Sequence, residues 1–197
     1  MTIEARIQLT SSELGTLWMT YMSTCANLVM CESLSDKTID NEAKKMLTTY
    51  IAEAQIIKDK IVTVFNNEKA SIPTGFDQRD IILEAPTLFD DIFKIMFLRQ
   101  MMKLNLGHSA IQTTMSYMKE VQDIFKLNYD TADKFYVMST SYLLGKGVLA
   151  KPPYVSMPKI AEVIEGKELA KKIISKLSDV LLQSDIQPTG TWAGKAT

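Results

Sequence analysis

ASIPTGFDQRDIILEAP, residues 70–86, and KPPY, residues 151–154, are the main breaks in a chain that otherwise offers few. The first is a Pro- and Gly-marked connector between two helical patterns, and the second follows the last pattern of a set of four. A connector of roughly twenty residues is longer than most loops inside a domain. The helix before it would be about 40 Å long at 1.5 Å per residue. An extended chain of roughly twenty residues reaches about 65 Å, enough to run back along that whole helix. The next helix would then start at the same end as its predecessor and lie parallel to it. A simple up-down-up-down bundle needs no such span, whereas a bundle with one long crossover does.

Working outward, the first helix begins at Thr10-Ser11-Ser12-Glu13, which fits a capping box with Thr10 as N-cap and Glu13 reaching back. Leu9 and Leu14 suit a hydrophobic staple around it. Leu14, Trp18, Tyr21, Met22, Cys25, Leu28 and Val29 follow at three- and four-residue steps, so the helix is expected to run to about residues 31–33. Ser35 and Asp36 offer caps for a second helix. Its apolar series is Ile39, Ala43, Met46, Leu47, Tyr50, Ala54, Ile57, Ile61 and Phe65, and Asn66-Asn67 is its stop. The short link makes these two helices antiparallel neighbours.

Pro86 suits the first turn of the third helix, where its missing amide proton has no intrahelical partner to lose. Phe89, Ile92, Phe93, Met96, Leu98, Met101, Met102, Leu104 and Leu106 make that helix apolar on several faces. Such a helix is expected to lie centrally or to bury a second face against a partner chain. Gly107 within it reads as a close-packing point or a kink. After a break near residues 116–119, the fourth helix carries Val121, Ile124, Phe125, Ala132, Phe135, Met138, Tyr142 and Leu143. Gly145 and Gly147 stop it, and Pro152-Pro153 prevents continuation. A fifth amphipathic element spans about residues 158–184, and PTGTWAGKAT (188–197) is tail-like.

The expected fold class is therefore all-α: a ferritin-like four-helix bundle with one long crossover between helices 2 and 3, plus a C-terminal amphipathic helix. Residues 1–152 would form the bundle and 153–197 the helical extension and tail. The composition agrees. Apolar residues make up 46% of 197, which is enough for a core. A net charge of −1 gives no whole-chain footprint for nucleic acid. No run is long and apolar enough for a membrane span, and the N-terminus lacks a signal-peptide pattern, so synthesis in the cytoplasm is expected. Cys25 and Cys31 are separated by about 600° of helical rotation and about 9 Å of rise, so they cannot pair within one helix. They read as free thiols, with an intermolecular disulfide as the alternative.

Di-iron chemistry in such a bundle takes a carboxylate from each of two helices and a Glu-x-x-His pair from each of the others. The single histidine, His108, has Asn105 three residues before it, and Glu53 has Ile56 where a histidine would be needed. The middle of the first helix reads Tyr21, Met22, Cys25, Leu28, without a carboxylate. No catalytic, cofactor-binding or metal residue is assigned, no cofactor is expected, and the chain reads as a non-enzyme. His108 reads as a satisfied surface or interior histidine rather than a general base, and Cys25 has no readable partner base. Asp90-Asp91 reads as complementing a helix dipole. Met96, Met101, Met102, Met115 and Met118 read as a methionine-rich core, with a hydrophobic cavity as the alternative. Four helices already close a core, so the fifth is expected to dock outside it or on another subunit. Lys167, Lys171, Lys172 and Lys176 also allow contact with anionic membranes, which Glu162, Glu165 and Glu168 oppose.

Three stretches, LTSSELGTLWMTYM (9–22), IPTGFDQRDIILEAPTLFDD (72–91) and GKGVLAKPPYVSMP (145–158), occur in an order and spacing that carry a resemblance. The chain resembles the ferritin-like domain-of-unknown-function family of spore-forming bacilli, whose members are often labelled spore coat proteins and are related to the coat F type of helical domain. The resemblance covers about residues 9–158. It implies a structural, self-assembling role, association with further copies or other coat-type proteins through the C-terminal helix, and a place in the spore coat. A small hydrophobic ligand-binding bundle and a degenerate ferritin-like metal protein are the alternatives. Many members hold two bundles in tandem, whereas this chain holds one. Members often carry a histidine late in the second helix, in a stretch like QKHI; here Gln55-Ile56-Ile57-Lys58 has none.

Overall fold

A computed structural model describes residues 8–82, 84–156 and 171–176. The chain falls into two units, Met1–Lys151 and Pro152–Thr197. The first consists of helices α1 (Ser11–Asp36), α2 (Asn41–Asn67), α3 (Asp91–Thr114) and α4 (Lys119–Gly145), with one short 3-10 turn at Gln78–Asp80. In the second, residues 171–176 are helical and exposed. The rest of the fifth element expected at 158–184, and the tail at 188–197, lie outside the described residues.

The connector behaves as its length requires. Ala70 and Ser71 share a surface cavity with Leu14 and Trp18 near the start of α1. Gly75 packs directly on Cys25, in the middle of α1; a Cβ placed there would come 2.6 Å from the Cys25 Sγ. Phe76, Asp77 and Gln78 lie over the α1/α2 groove with Glu32 and Gln55. Farther along, the Lys37 ammonium donates to the Ala85 carbonyl. The chain thus returns along α1 to the end where α2 began. α3 consequently runs parallel to α2, and neighbours joined by short turns run antiparallel.

Some boundaries differ from the sequence reading. α1 continues to Asp36, and Asp40, not Ser35 or Asp36, caps α2 by accepting from the Glu42 and Ala43 amides. Ile39 then lies before the helix and is 89% exposed. Pro86 is not in the first turn of α3. The chain stays outside the helix as far as Asp90, the N-cap, whose carboxylate accepts from the Phe93 amide at 2.7 Å. The N-cap of α1 is Thr10, with both halves of the capping box formed.

Both C-termini that matter for topology end in the same motif. After α4, Val148 donates to the Leu143 carbonyl and Gly147 to Leu144, with Gly147 at φ +71°. After α2, Ala70 donates to Phe65 and Lys69 to Asn66 in the same pattern, but the left-handed residue is Lys69, at φ +55°.

The core has two apolar clusters. One joins Leu28, Cys31, Met46, Leu47, Tyr50, Ile95, Leu98, Met102, Phe135 and Leu143, with Tyr50 edge-on to Phe135. The other joins Leu17, Ile57, Ile61, Val64, Phe65, Val121, Ile124 and Phe125. The buried residues of α1 are Glu13, Leu17, Thr20, Thr24, Cys25, Leu28, Val29, Cys31 and Ser35, so the expected stripe holds at Cys25, Leu28 and Val29 but is rotated over the first two turns. Leu14 is 38% and Trp18 50% exposed, and Met138 of α4 is also exposed. The methionines divide: Met101 and Met102 are core, Met118 packs against the second cluster, and Met96 and Met115 are exposed.

Candidate functional site

In a ferritin-like bundle the chemistry sits at mid-length between the helices. Here a buried layer between the two apolar clusters is polar but neutral on α1, α3 and α4, and it lies nearer the C-terminal end of α3 than its middle. Thr20 and Thr24 come from α1, Ser109 and Gln112 from α3, and Asn128 and Thr131 from α4, all buried. The Asn128 amide donates to the Ser109 hydroxyl at 2.8 Å, and the Thr20 hydroxyl donates to the Gln112 side-chain oxygen at 3.3 Å. No buried side-chain polar atom among the described residues lacks a partner.

This layer does not fit a di-iron centre. The layer offers amides and hydroxyls rather than the carboxylates and imidazoles that such a centre needs. Among the described residues no three His, Cys, Asp or Glu side chains come together. Glu53 turns outward to pair with Lys134 of α4, and His108 is exposed on α3. Cys25 and Cys31 are free and buried, 2% and 0% exposed. Burial, with the Glu32 charge adding to it, pushes the Cys31 thiol up to about 12, and burial also raises that of Cys25. Both are thus poor nucleophiles and poor candidates for an intermolecular bridge.

Two carboxylates have roles that helix patterns did not reveal. Glu13 is fully buried. Its Oε2 accepts from the Thr10 amide at 2.9 Å and the Thr10 hydroxyl at 2.7 Å, while Oε1 accepts from the Tyr117 and Met118 amides, both at 2.7 Å. The first turn of α1 thereby holds the turn between α3 and α4. Asp91 does the reciprocal job. Its Oδ2 accepts from the Ile39 and Asp40 amides at 3.0 and 2.7 Å, so the first turn of α3 holds the turn between α1 and α2. Buried Lys94 completes this corner by donating to the Lys37 carbonyl at 2.6 Å and to Asp91 Oδ1 at 2.9 Å. Burial works to raise both carboxyls. For Glu13 the Met118, Thr10 and Tyr117 hydrogen bonds outweigh it, and for Asp91 those of Asp40, Lys94 and Ile39, so both titrate below their ordinary range. Asp91 therefore does more than complement a helix dipole. Nearby, Asp40 is held down to about 2 by the Ala43 amide and by Lys146, 2.9 Å away.

The surface carries the remaining candidates. A cavity of about 890 Å³ lies over the α2/α4 groove, rimmed by Glu42, Lys45, Lys134 and Lys146. A second of about 480 Å³ lies between Leu14, Gly15 and Trp18 of α1 and Ala70 of the connector. At the start of α3, Phe89 just before the helix and Phe93 and Phe97 within it stack in series, with centroid separations of 4.2 and 6.5 Å. Phe89 and Phe93 remain largely open to solvent. No helix among the described residues is long and apolar enough to cross a membrane.

The helix order, the long crossover and the packed interior together define a ferritin-like four-helix bundle. Residues 1–161 match the family described as "Protein of unknown function (DUF3231)", and the chain belongs to it. No curated protein matches the chain. Among solved structures, it is similar to a "putative spore coat protein" from Bacillus halodurans C-125. The TM-score is 0.68 and the identity 16%, over 77% of this chain and 98% of that one. It is also similar to a two-domain protein from Anabaena variabilis containing DJ-1/ThiJ/PfpI-like and ferritin-like domains. There the TM-score is 0.56 and the identity 18%, over 77% of this chain and 42% of that one.

Proposed function

We propose that this chain is a non-enzymatic structural protein that self-associates or joins other coat-type proteins, synthesised in the cytoplasm and placed in the spore coat. Its C-terminal segment (153–197) would be a separate extension that supplies one of the contacts. The observation that carries this reading is the outward face of α3, where large apolar side chains, including stacked phenylalanines, meet solvent. Large exposed apolar patches mark interaction sites. The buried layer of amides and hydroxyls supports this reading over a di-iron enzyme, because such groups are weak ligands for a reactive metal. The similar Bacillus halodurans structure lends the setting, and the chain spans nearly all of that protein's fold.

Light scattering on the full chain at micromolar concentration tests the assembly. A mass above 22.2 kDa is expected, and a strict monomer at all concentrations would sink the reading. Elemental analysis tests the other half: about two irons per chain would restore the metalloprotein reading.

One observation favours a second reading. The cavity at Leu14, Trp18 and Ala70 is within the roughly 300–1,000 Å³ range of small-ligand sites and is mainly apolar. A co-purifying lipid-like molecule in native mass spectra, lost on Trp18→Ala, would favour ligand binding.

A further inference from the structure

The outward face of α3 has a pattern of its own. Phe89 precedes the helix and stacks on Phe93 at its start; within α3, Phe93 and Met96 recur eleven residues later as Leu104 and Gly107, Gln100 recurs as Ile111, and Leu104 again as Met115 at the C-cap. Eleven residues are close to three full turns, so these positions lie on one nearly straight line. The line carries no charge. Apart from Gln100 and Gly107 it is apolar throughout, and each apolar side chain on it is about half exposed, from 42% at Phe93 to 60% at Ile111. It is separate from the buried face of α3, which presents Ile95, Leu98 and Met102 to the core.

From this we infer that the outer face of α3 is a two-fold interface with a second copy of the same chain, the two α3 helices pairing antiparallel. This deepens the self-association reading and rests on it. The stripe is complementary to itself in one register. When Leu104 faces its own counterpart, Gln100 lies over Gly107 of the other copy, Met96 meets Ile111 and Phe93 meets Met115. The long polar side chain thus falls on the glycine at both symmetric positions, and every other pairing is apolar.

Gly107 supports the register independently. A glycine inside a helix weakens it, and packing among the described residues does not require this one, since none of them lies within 4 Å of a Cβ built there. A facing helix with Gln100 laid across the notch would require it. The area suffices as well. A large apolar side chain buries roughly 150–250 Å² when covered, so half of that along the stripe gives about 600 Å² per copy. With the flanking side chains this approaches the roughly 800 Å² per partner of a standard specific interface.

The test uses the full chain and light scattering. Wild type is expected at twice the monomer mass or a multiple of it. Leu104→Arg sets two cations on the symmetry axis and should weaken pairing at least 100-fold. Gly107→Leu fills the notch while favouring the helix, so it should weaken pairing about tenfold or more with thermal stability kept or raised. Ile56→Arg, on the exposed face of α2, should pair as wild type. Orientation is read by oxidative cross-linking. Leu104→Cys should cross-link to itself and the double variant Phe93→Cys/Met115→Cys should cross-link. Phe93→Cys alone should not, because its counterpart would be about 33 Å away.

Association unchanged by both Leu104→Arg and Gly107→Leu would overturn this interface while leaving self-association intact. A monomeric wild type would overturn both. So would a monomer whose Leu104→Cys thiol is shielded from reagent, since the chain would then cover the stripe itself.

Discussion

Replacing Glu13 by alanine removes one side chain that closes two structures at once. Four hydrogen bonds end on its carboxylate, two from Thr10 and two from the Tyr117 and Met118 amides. Bonds to an ionised acceptor contribute about 1.5–3 kcal/mol each. Tyr117 is exposed and Met118 partly so, so water replaces part of the loss and the lower figure applies. The two turn amides then account for about 3 kcal/mol, and the broken half of the capping box for about 0.5–1 kcal/mol more. A loss of about 3–4 kcal/mol should lower Tm by about 7–14 °C in a domain of this size. Glu13→Gln keeps an acceptor for the two turn amides but points its NH2 at the Thr10 amide, and should lose about 1–2 kcal/mol. The pH dependence separates charge from shape. The Glu13 carboxyl is lowered in the folded state, so its contribution is complete above the unfolded value near 4.5 and disappears as pH falls through the folded value. The gap between wild type and Glu13→Gln should therefore be widest near pH 7 and narrow below about pH 4. Urea melts followed by circular dichroism at pH 7, 5 and 3 read this directly. An alanine variant within about 2 °C of wild type, a shift of under about 1 kcal/mol, would refute the clamp.

Asp91 has the same sign, so Asp91→Asn should also destabilise at pH 7 and lose its effect in acid, and its effect should add to that of Glu13→Gln because the two lie at opposite ends of the bundle. Lys69→Gly should stabilise: relief of a left-handed non-glycine backbone is worth about 1–2 kcal/mol, partly offset by about 0.5–1 kcal/mol of glycine entropy, so a Tm rise of about 1–4 °C is expected by calorimetry. Gly75→Ala would place a methyl 2.6 Å from the Cys25 Sγ and 3.0 Å from its Cβ, lifting the connector off α1; a loss of about 1–3 kcal/mol is expected, and a neutral result in denaturant melts would argue against that contact. Deleting residues 158–197 should reduce assembly mass in light scattering if the C-terminal segment joins subunits, and an unchanged mass would count against that role.

The topology was readable because it depended on chain length: a connector spanning residues 68–90 has to go somewhere, and only a return along the bundle uses it. Caps at Thr10 and stops at Asn66-Asn67 and Gly147 were local signals of known stereochemistry. The errors share a different cause. Apolar count favoured Leu14 and Trp18 as the inward face of α1, but Thr20 and Thr24 are inward, and the Thr20 hydroxyl finds acceptors in the Thr16 carbonyl of its own helix and the Gln112 oxygen of α3. Ile39 and Pro86 looked in phase with the helices that follow them. Asp40 and Asp90 took the caps instead, and both stand two or fewer residues before a further acidic residue, a pattern that first helical turns favour. The roles of Glu13 and Asp91 across the bundle depend on partners 105 and 52 residues away in sequence, respectively, which no local window contains. Lys69 gave no signal at all, because glycine is the usual mark of that conformation.

A buried layer of amides and hydroxyls also changes what the surface has to do. It ties α1, α3 and α4 together at one level, which suits the rigid strut that the proposed structural role calls for. An isologous contact along α3 closes on itself and can make only pairs. A layered coat needs a second, different contact to connect those pairs, and the segment after Lys151 forms a unit of its own. Dividing the work this way predicts two separable defects. Leu104→Arg should reduce any assembly to units joined only through the C-terminal segment, whereas deletion of residues 158–197 should leave a bare pair of about 35 kDa, twice the mass of the shortened chain. Combining the two should give monomers. If either change alone abolished all association, the contacts would not be independent, and the idea of a paired strut with a separate linking segment would have to be abandoned.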